Sequence, residues 1–139
     1  MILLIRHAWA GKRSDWDGDD RRRPLDERGR RQADELVGLL ASYELDRILS
    51  SPYDRCVQTV VPIARVRGLR IELREELSEE RHDDEGRRLV GVLDANAAVS
   101  CHGGLSEAIC GEHQKKAAVL VLERSSGSLR PIARFRVRA

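Results

Sequence analysis

Aromatic side chains are scarce: one Phe, two Tyr and two Trp in 139 residues. That leaves few surfaces on which unstacked bases could lie, so a single-strand nucleic-acid binder is not expected. Lysine is almost missing, with only Lys12, Lys115 and Lys116, although Lys and Arg together number 25 against 23 Asp and Glu. The net charge of +2 and the interleaving of both signs argue against a polyanion-binding stripe. The basic residues are therefore arginines, whose planar fork suits phosphate and carboxylate. Cys56, Cys101 and Cys110 are odd in number and lack metal-ligand spacing, which predicts reduced thiols and a cytoplasmic protein. No apolar run approaches the roughly 20 residues of a membrane span. The short apolar start has no basic segment ahead of it and no small-residue cleavage site, so it is not expected to be a signal peptide. Length and 41% hydrophobic content predict one domain, residues 1–139, with an ordinary core.

What is present begins at the first residue. Met1-Ile2-Leu3-Leu4-Ile5-Arg6-His7-Ala8 is an apolar run of strand length that ends in an arginine and a histidine. A continuous Ile/Leu run is the pattern of a buried parallel strand, and ligands of open α/β sheets bind beyond the carboxyl ends of such strands. Strands are further predicted at 45–49, 69–73, 97–101, 117–123 and 132–137. Helices are predicted at about 26–41, with Asp26 as N-cap and Gly29 tolerated in the first turn, then at 53–67, 87–95 and 105–113. Pro62 predicts a kink or early end in the second of these, and Gly68 its stop. Residues 75–86 read as an exposed charged loop or short helix, with His82 and His113 on the surface. The alternation of strands and helices predicts an α/β fold: a three-layer α/β/α sandwich with a mostly parallel central sheet.

Three stretches bring phosphate-compatible side chains to strand ends. Arg6 and His7 follow the first strand. Arg55 lies one turn into the helix after Ser50-Ser51-Pro52. His102 follows the fourth strand, directly before Gly103-Gly104. The crossover rule gathers these ends on one sheet edge, where two helix N-termini also favour an anion. Trp9 and Trp16 are candidates for stacking on a substrate ring or forming a lid. Lys12, Arg13 and Arg21 to Arg23 are candidates for a second phosphate or for solvated loop charge. Cys56 and Cys101 fall near the expected pocket, and Cys101 is a candidate for oxidant sensitivity.

On these residues the chain resembles the histidine phosphatase superfamily, whose fold is that of the phosphoglycerate mutases. Arg6-His7-Ala8 is similar to the Arg-His-Gly signature, in the form of its small SixA-like branch. Ser50-Ser51-Pro52, Arg55 and Gln58-Thr59 resemble a second motif, and Val99-Ser100-Cys101-His102-Gly103-Gly104 a third with one residue inserted. Gly18-Asp19-Asp20, Arg23-Pro24-Leu25 and Leu77-Ser78-Glu79-Glu80 resemble the phosphatase domains fused to actinobacterial Nudix hydrolases. The resemblance implies a metal-independent phosphatase with no cofactor. His7 would be the nucleophile that forms a phosphohistidine, Arg6, Arg55 and His102 would hold the phosphate, and Glu79 would be the general acid. It implies as partners a phosphohistidine protein or a nucleotide or other small phosphomonoester, with no nucleic acid and no membrane. Two other readings stay open: a phosphoglycerate mutase-like phosphotransferase, and a catalytically weak phosphate-binding module if Cys101 displaces His102.

Overall fold

The structure, a computed structural model, describes residues 1–137. Its elements are β1 (Ile2–Arg6), α1 (Glu27–Leu39), β2 (Arg47–Ser50), α2 (Asp54–Arg67), β3 (Ile71–Leu73), α3 (Arg87–Val92), β4 (Ala97–Cys101), α4 (Gly103–Cys110), β5 (Ala118–Ser125) and β6 (Ser128–Arg136). The six strands form one sheet in the order β3-β2-β4-β1-β5-β6. The pairs β3–β2, β2–β4 and β4–β1 are parallel, and β5 and β6 add an antiparallel hairpin.

The period of two along β1 decides the layers. Leu3 and Ile5 face a core built with Leu36 and Leu40 of the α1 segment and Val60 and Ile63 of α2. Ile2 and Leu4 face the opposite core, with Val90 of α3 and Leu105 of α4. Both faces of the sheet are thus covered by helices, as the α/β/α expectation requires.

Local chemistry sets the helix ends. Asp26 caps α1 by accepting the Gly29 N–H at 2.9 Å. Gly68 ends α2 with φ 65°, and α2 passes through Pro62 without stopping early. Gly111 ends α4 in the same left-handed way, three residues before the predicted end, and α4 begins at Gly103 rather than 105. The last strand starts at Ser128 rather than 132, because Ser126 and Gly127, both at positive φ, close the β5–β6 hairpin tightly.

The segment 75–86 departs most from expectation. It forms a 3-10 turn and a single wide π turn, and buries Leu77, Ser78, His82 and Gly86. Its charge run hid a two-sided segment: Leu77 enters the core beneath α3 and α4, while the carboxylates face outward.

Gly29 is more than tolerated. A Cβ there would lie 1.9 Å from the Trp9 carbonyl oxygen, so α1 rests directly on the chain leaving β1. At Gly38, in the same helix, a Cβ would meet nothing within 4 Å. Alanine gains about 1 kcal/mol over glycine in a helix, whereas overpacking against immobile backbone costs about 1–3 kcal/mol. Gly38→Ala is therefore expected to raise the urea midpoint and Gly29→Ala to lower it, measured by denaturation of each variant beside the parent.

Candidate active site

The parallel register of β1 and β4 assembles the site. Arg6 pairs with Cys101, and the His7 N–H donates to the Cys101 carbonyl at 2.9 Å. His7 and His102 therefore leave the sheet at the same level, and their ring centroids stand 5.7 Å apart. Cys101 does not displace His102. It is the last residue of β4, buried, with Sγ toward the Ile5 carbonyl. Burial raises its thiol well above the ordinary range and pushes Cys56 up to about 12. Thiols so protected are inert, which removes the ground for oxidant sensitivity at Cys101.

Both histidines are buried and neutral. His7 Nδ1 faces the Ala8 carbonyl at 2.8 Å. A carbonyl only accepts, so Nδ1 carries the proton and Nε2 keeps its lone pair. Burial first, then Arg55, Arg6 and Lys116, bring the His7 pKa to about 3, opposed by the Ala8 bond. His102 falls to about 2, through burial and then the neighbouring His7, Arg55, His82 and Arg6. His102 Nε2 lies 2.9 Å from Ser51 Oγ, which already accepts the Tyr53 N–H. One arrangement satisfies both contacts: Ser51 Oγ accepts the Tyr53 N–H and donates to Nε2, and the His102 proton then sits on Nδ1.

The cations are held from outside. Arg55 is 1% exposed. It donates to the Asp20 carbonyl at 2.8 Å, to Asp20 Oδ2 at 3.1 Å and to Glu79 at 3.3 Å, and stacks over Tyr53. Arg6 donates from Nη1 to the Gln114 carbonyl at 2.6 Å, and passes so close to Gly103 that a Cβ there would lie 2.9 Å from its guanidinium carbon. That close passage is the physical need for the first glycine after His102. Among the described residues, the buried polar atoms without a partner include Arg6 Nε, Arg55 Nε and His102 Nδ1. Each belongs to a wall of one cavity of about 440 Å³, which His7 and Glu79 also line. A cluster of unpaired donors and fixed positive charge is suited to an oxyanion.

All five sequence-selected residues, Arg6, His7, Arg55, Glu79 and His102, meet at this cavity. Trp9 lines it too, and Trp16 does not: its indole N–H donates to the Asp19 carbonyl and it lines a separate groove. Of the loop arginines, Arg13 forks onto Glu79 and Arg21 onto Glu75 and Glu80. Tyr53 also donates to Glu80.

Two residues escaped the sequence reading. Asp20 orients Arg55, and its carboxyl lies below the usual range because the Arg23 and Arg55 hydrogen bonds and the Arg55 and Arg13 charges outweigh burial. The Gly18-Asp19-Asp20 segment carried the signal, without the geometry to select Asp20. His82, expected on the surface, is buried and packs at 30° to the His102 ring with centroids 6.2 Å apart. A Cβ at Gly104 would sit 2.4 Å from its Nε2, so the second glycine makes room for His82. His113, in contrast, is on the surface as expected.

Comparison with known proteins bears on the family and the fold. A family profile described as Histidine phosphatase superfamily (branch 1) matches residues 2–98, ending ahead of His102. An 8-oxo-(d)GTP phosphatase of Mycolicibacterium smegmatis is 45% identical over 64 residues, which are 46% of this chain and 20% of that protein. The alignment thus spans about a fifth of that curated relative's length. The fold is shared with the putative phosphohistidine phosphatase SixA of Agrobacterium tumefaciens, at TM-score 0.80 and 24% identity over 98% of this chain and 97% of that one. It is shared equally with the protein histidine phosphatase SixA complexed with tungstate, at TM-score 0.82 and 21% identity over 97% and 96% of the two chains. With most of its length matched and the phosphoglycerate mutase-like sheet in place, the chain belongs to the histidine phosphatase superfamily (branch 1).

Proposed function

We propose that the chain hydrolyses phosphomonoester or phosphoramidate bonds through a phosphohistidine on His7, with side chains rather than a metal neutralising the phosphate. The observation that carries this reading is the His7 Nδ1–Ala8 contact beside the three unpaired donors. It supports a neutral imidazole whose Nε2 lone pair attacks phosphorus. As the N–P bond forms, the P–O or P–N bond to the leaving group breaks and its electron pair departs with that group. The Nδ1 proton stays where it is, so no tautomer change is needed. Arg6, Arg55 and His102 hold the non-bridging oxygens, with hydrogen bonds that strengthen as charge develops. Water then attacks phosphorus and gives its proton to the Glu79 carboxylate where that group has protonated an alkoxide, and otherwise keeps it on the released phosphate; the N–P bond breaks and its electron pair returns to Nε2.

Glu79 lines the cavity between Arg13 and Arg55 and is the proposed proton donor. An alkoxide leaving group needs that proton, and a positioned acid is worth about 10²–10⁴-fold. An imidazole leaving group needs it far less. A mutase role is disfavoured, because it requires an intermediate shielded from water.

The direct test is turnover of p-nitrophenyl phosphate with a chelator present, beside His7→Ala. The parent alone is expected to turn over, and to yield a trapped label that is acid-labile and base-stable. Equal background from both proteins would instead indicate a binding module. Glu79→Gln is expected to lose about 10²-fold or more on an alkyl phosphate, with phosphohistidine hydrolysis changed far less; equal losses on both substrates would refute its acid role.

The neutral rings also set a pH dependence. In the unfolded chain each histidine takes a proton near 6.5, whereas in the fold His7 does so only near 3 and His102 near 2. Between these values the unfolded state binds more protons, so the stability is present above about pH 6.5 and is lost as pH falls. Each ring contributes a slope of up to about 1.4 kcal/mol per pH unit. Urea midpoints measured from pH 6.5 to 5, above the carboxylate range, are expected to fall in the parent and to fall less steeply in His7→Asn/His102→Asn.

A further inference from the structure

Of the five Phe, Tyr and Trp residues, only Tyr53 is buried. It stands between β2 and α2, in extended backbone just ahead of the helix. Its carbonyl accepts the Cys56 and Val57 N–H groups, and its own N–H donates to Ser51 Oγ at 3.3 Å. The backbone thus fixes the point from which the side chain departs. The phenol ring then meets both side chains that reach the cavity from the end of β4 and from α2. It stands at 76° to the His102 ring with centroids 4.6 Å apart, closer than His7 at 5.7 Å or His82 at 6.2 Å. The guanidinium carbon of Arg55 lies 4.8 Å from its centroid and that of Arg21 4.9 Å. Its hydroxyl donates to Glu80, which also accepts from Arg21 at 2.8 Å.

Hydrogen bonds alone leave each of the two phosphate-facing groups one soft motion. An imidazole turns about its Cβ–Cγ bond, and Nε2 lies nearer that axis than Nδ1 does. The Ser51 contact, made at Nε2, therefore restrains only weakly the swing that carries Nδ1. Neighbouring rings restrain that swing directly, and Tyr53 is the nearest of them. Arg55 is tied in a similarly partial way. Asp20 and Glu79 hold its two Nη atoms, while Nε has no partner. Contacts along one edge leave a planar group able to tilt, and an aromatic ring beside it opposes the tilt through cation–π attraction. A catalytic constellation tolerates displacements of only about 0.5 Å or 10–20°. The ring is itself clamped at its far end by Glu80 and Arg21, so it serves as a rigid spacer.

We infer that Tyr53 is a positioning residue for phosphoryl transfer: its ring holds His102 and Arg55 in the orientations that meet the phosphate, and its hydroxyl fastens that ring to the rim. The inference rests on the phosphatase reading and deepens it. Tyr53 lies behind the cavity wall rather than in it, so it acts through its two neighbours. Donors that cannot reorient while charge develops stabilise the transition state more than the bound ground state. The contribution of the ring therefore falls on kcat rather than on KM. Because the ring carries the role, phenylalanine is expected to serve nearly as well as tyrosine.

The test compares the parent with Tyr53→Phe, Tyr53→Leu and Tyr53→Met. Turnover of p-nitrophenyl phosphate is measured beside calorimetric affinities for orthophosphate and for orthovanadate, which takes the five-coordinate geometry of a transferring phosphoryl group. Calorimetric stoichiometry gives the folded fraction, by which kcat is normalised. Tyr53→Phe is expected to keep kcat within about twofold. Leucine and methionine retain apolar bulk without the ring. Each is expected to lose about tenfold in kcat, with KM changed by about threefold or less. Each is also expected to lose about tenfold more affinity for vanadate than for orthophosphate. In a His102→Ala background, Tyr53→Leu is expected to weaken vanadate by about threefold or less, because one of its two targets is gone. Parental kcat in the leucine and methionine variants, equal losses in the phenylalanine and leucine variants, or the same vanadate loss with and without His102 overturns the positioning role. Those failures leave turnover by the parent intact, whereas absence of His7-dependent turnover in the parent itself would sink the phosphatase reading.

Discussion

The backbone pairing of β1 with β4 is the constraint on which the site depends. The hydrogen bond from His7 to the Cys101 carbonyl closes the ladder and sets both histidines at one height on the same edge. The period of two in a strand means that a slip of one residue would turn every side chain over. Ile2 and Leu4 would exchange cores with Leu3 and Ile5, an apolar-for-apolar swap, so the register is held by the ladder hydrogen bonds and by the cost of drawing Arg6 into a core. The same ladder that stabilises the sheet therefore aims the two rings. The histidines need no flexible support, and their neutral state follows from the dryness of that position.

Around this centre the charged groups are layered. Arg55 is buried and forked by Asp20, so its orientation is set before any ligand arrives. Arg6 is anchored to the Gln114 carbonyl, and Gln114 in turn donates to the Leu4 carbonyl of β1. Fixing guanidinium groups in this way removes the reorganisation that a flexible cation would need, which is where electrostatic catalysis gains most. His82 backs His102 from the far side, so the donor ring is wedged between Tyr53 and a second imidazole.

The fold was readable in the sequence wherever burial and periodicity agreed. The Ile/Leu run of β1, the Asp26 cap and the glycine stops behaved as local chemistry dictates. The convergence of Arg6, His7, Arg55 and His102 was legible because strand ends in an α/β sheet gather on one edge, and Cys101 proved to be an ordinary last strand residue. Three features were not readable. His82 sits in a charge run whose carboxylates masked one inward-facing ring. Asp20 is one acid among several in a polar loop, and only the approach of α2 shows which one meets Arg55. Gly29 looks like a weak helix residue until the Trp9 carbonyl is seen beneath it. Each depends on a contact between segments far apart in the chain, which no local pattern encodes.

The rim of the cavity is fastened differently from its floor. Arg13–Glu79, Arg21–Glu75 and Arg21–Glu80 join the first loop to the segment after β3, and all of these side chains are more than one third exposed. Such pairs are each worth only about 0–1 kcal/mol and weaken with added salt. Electrolyte therefore loosens the doorway while the hydrophobic foundation stays firm, and entry into the pocket responds to the ionic surroundings sooner than the folded state does.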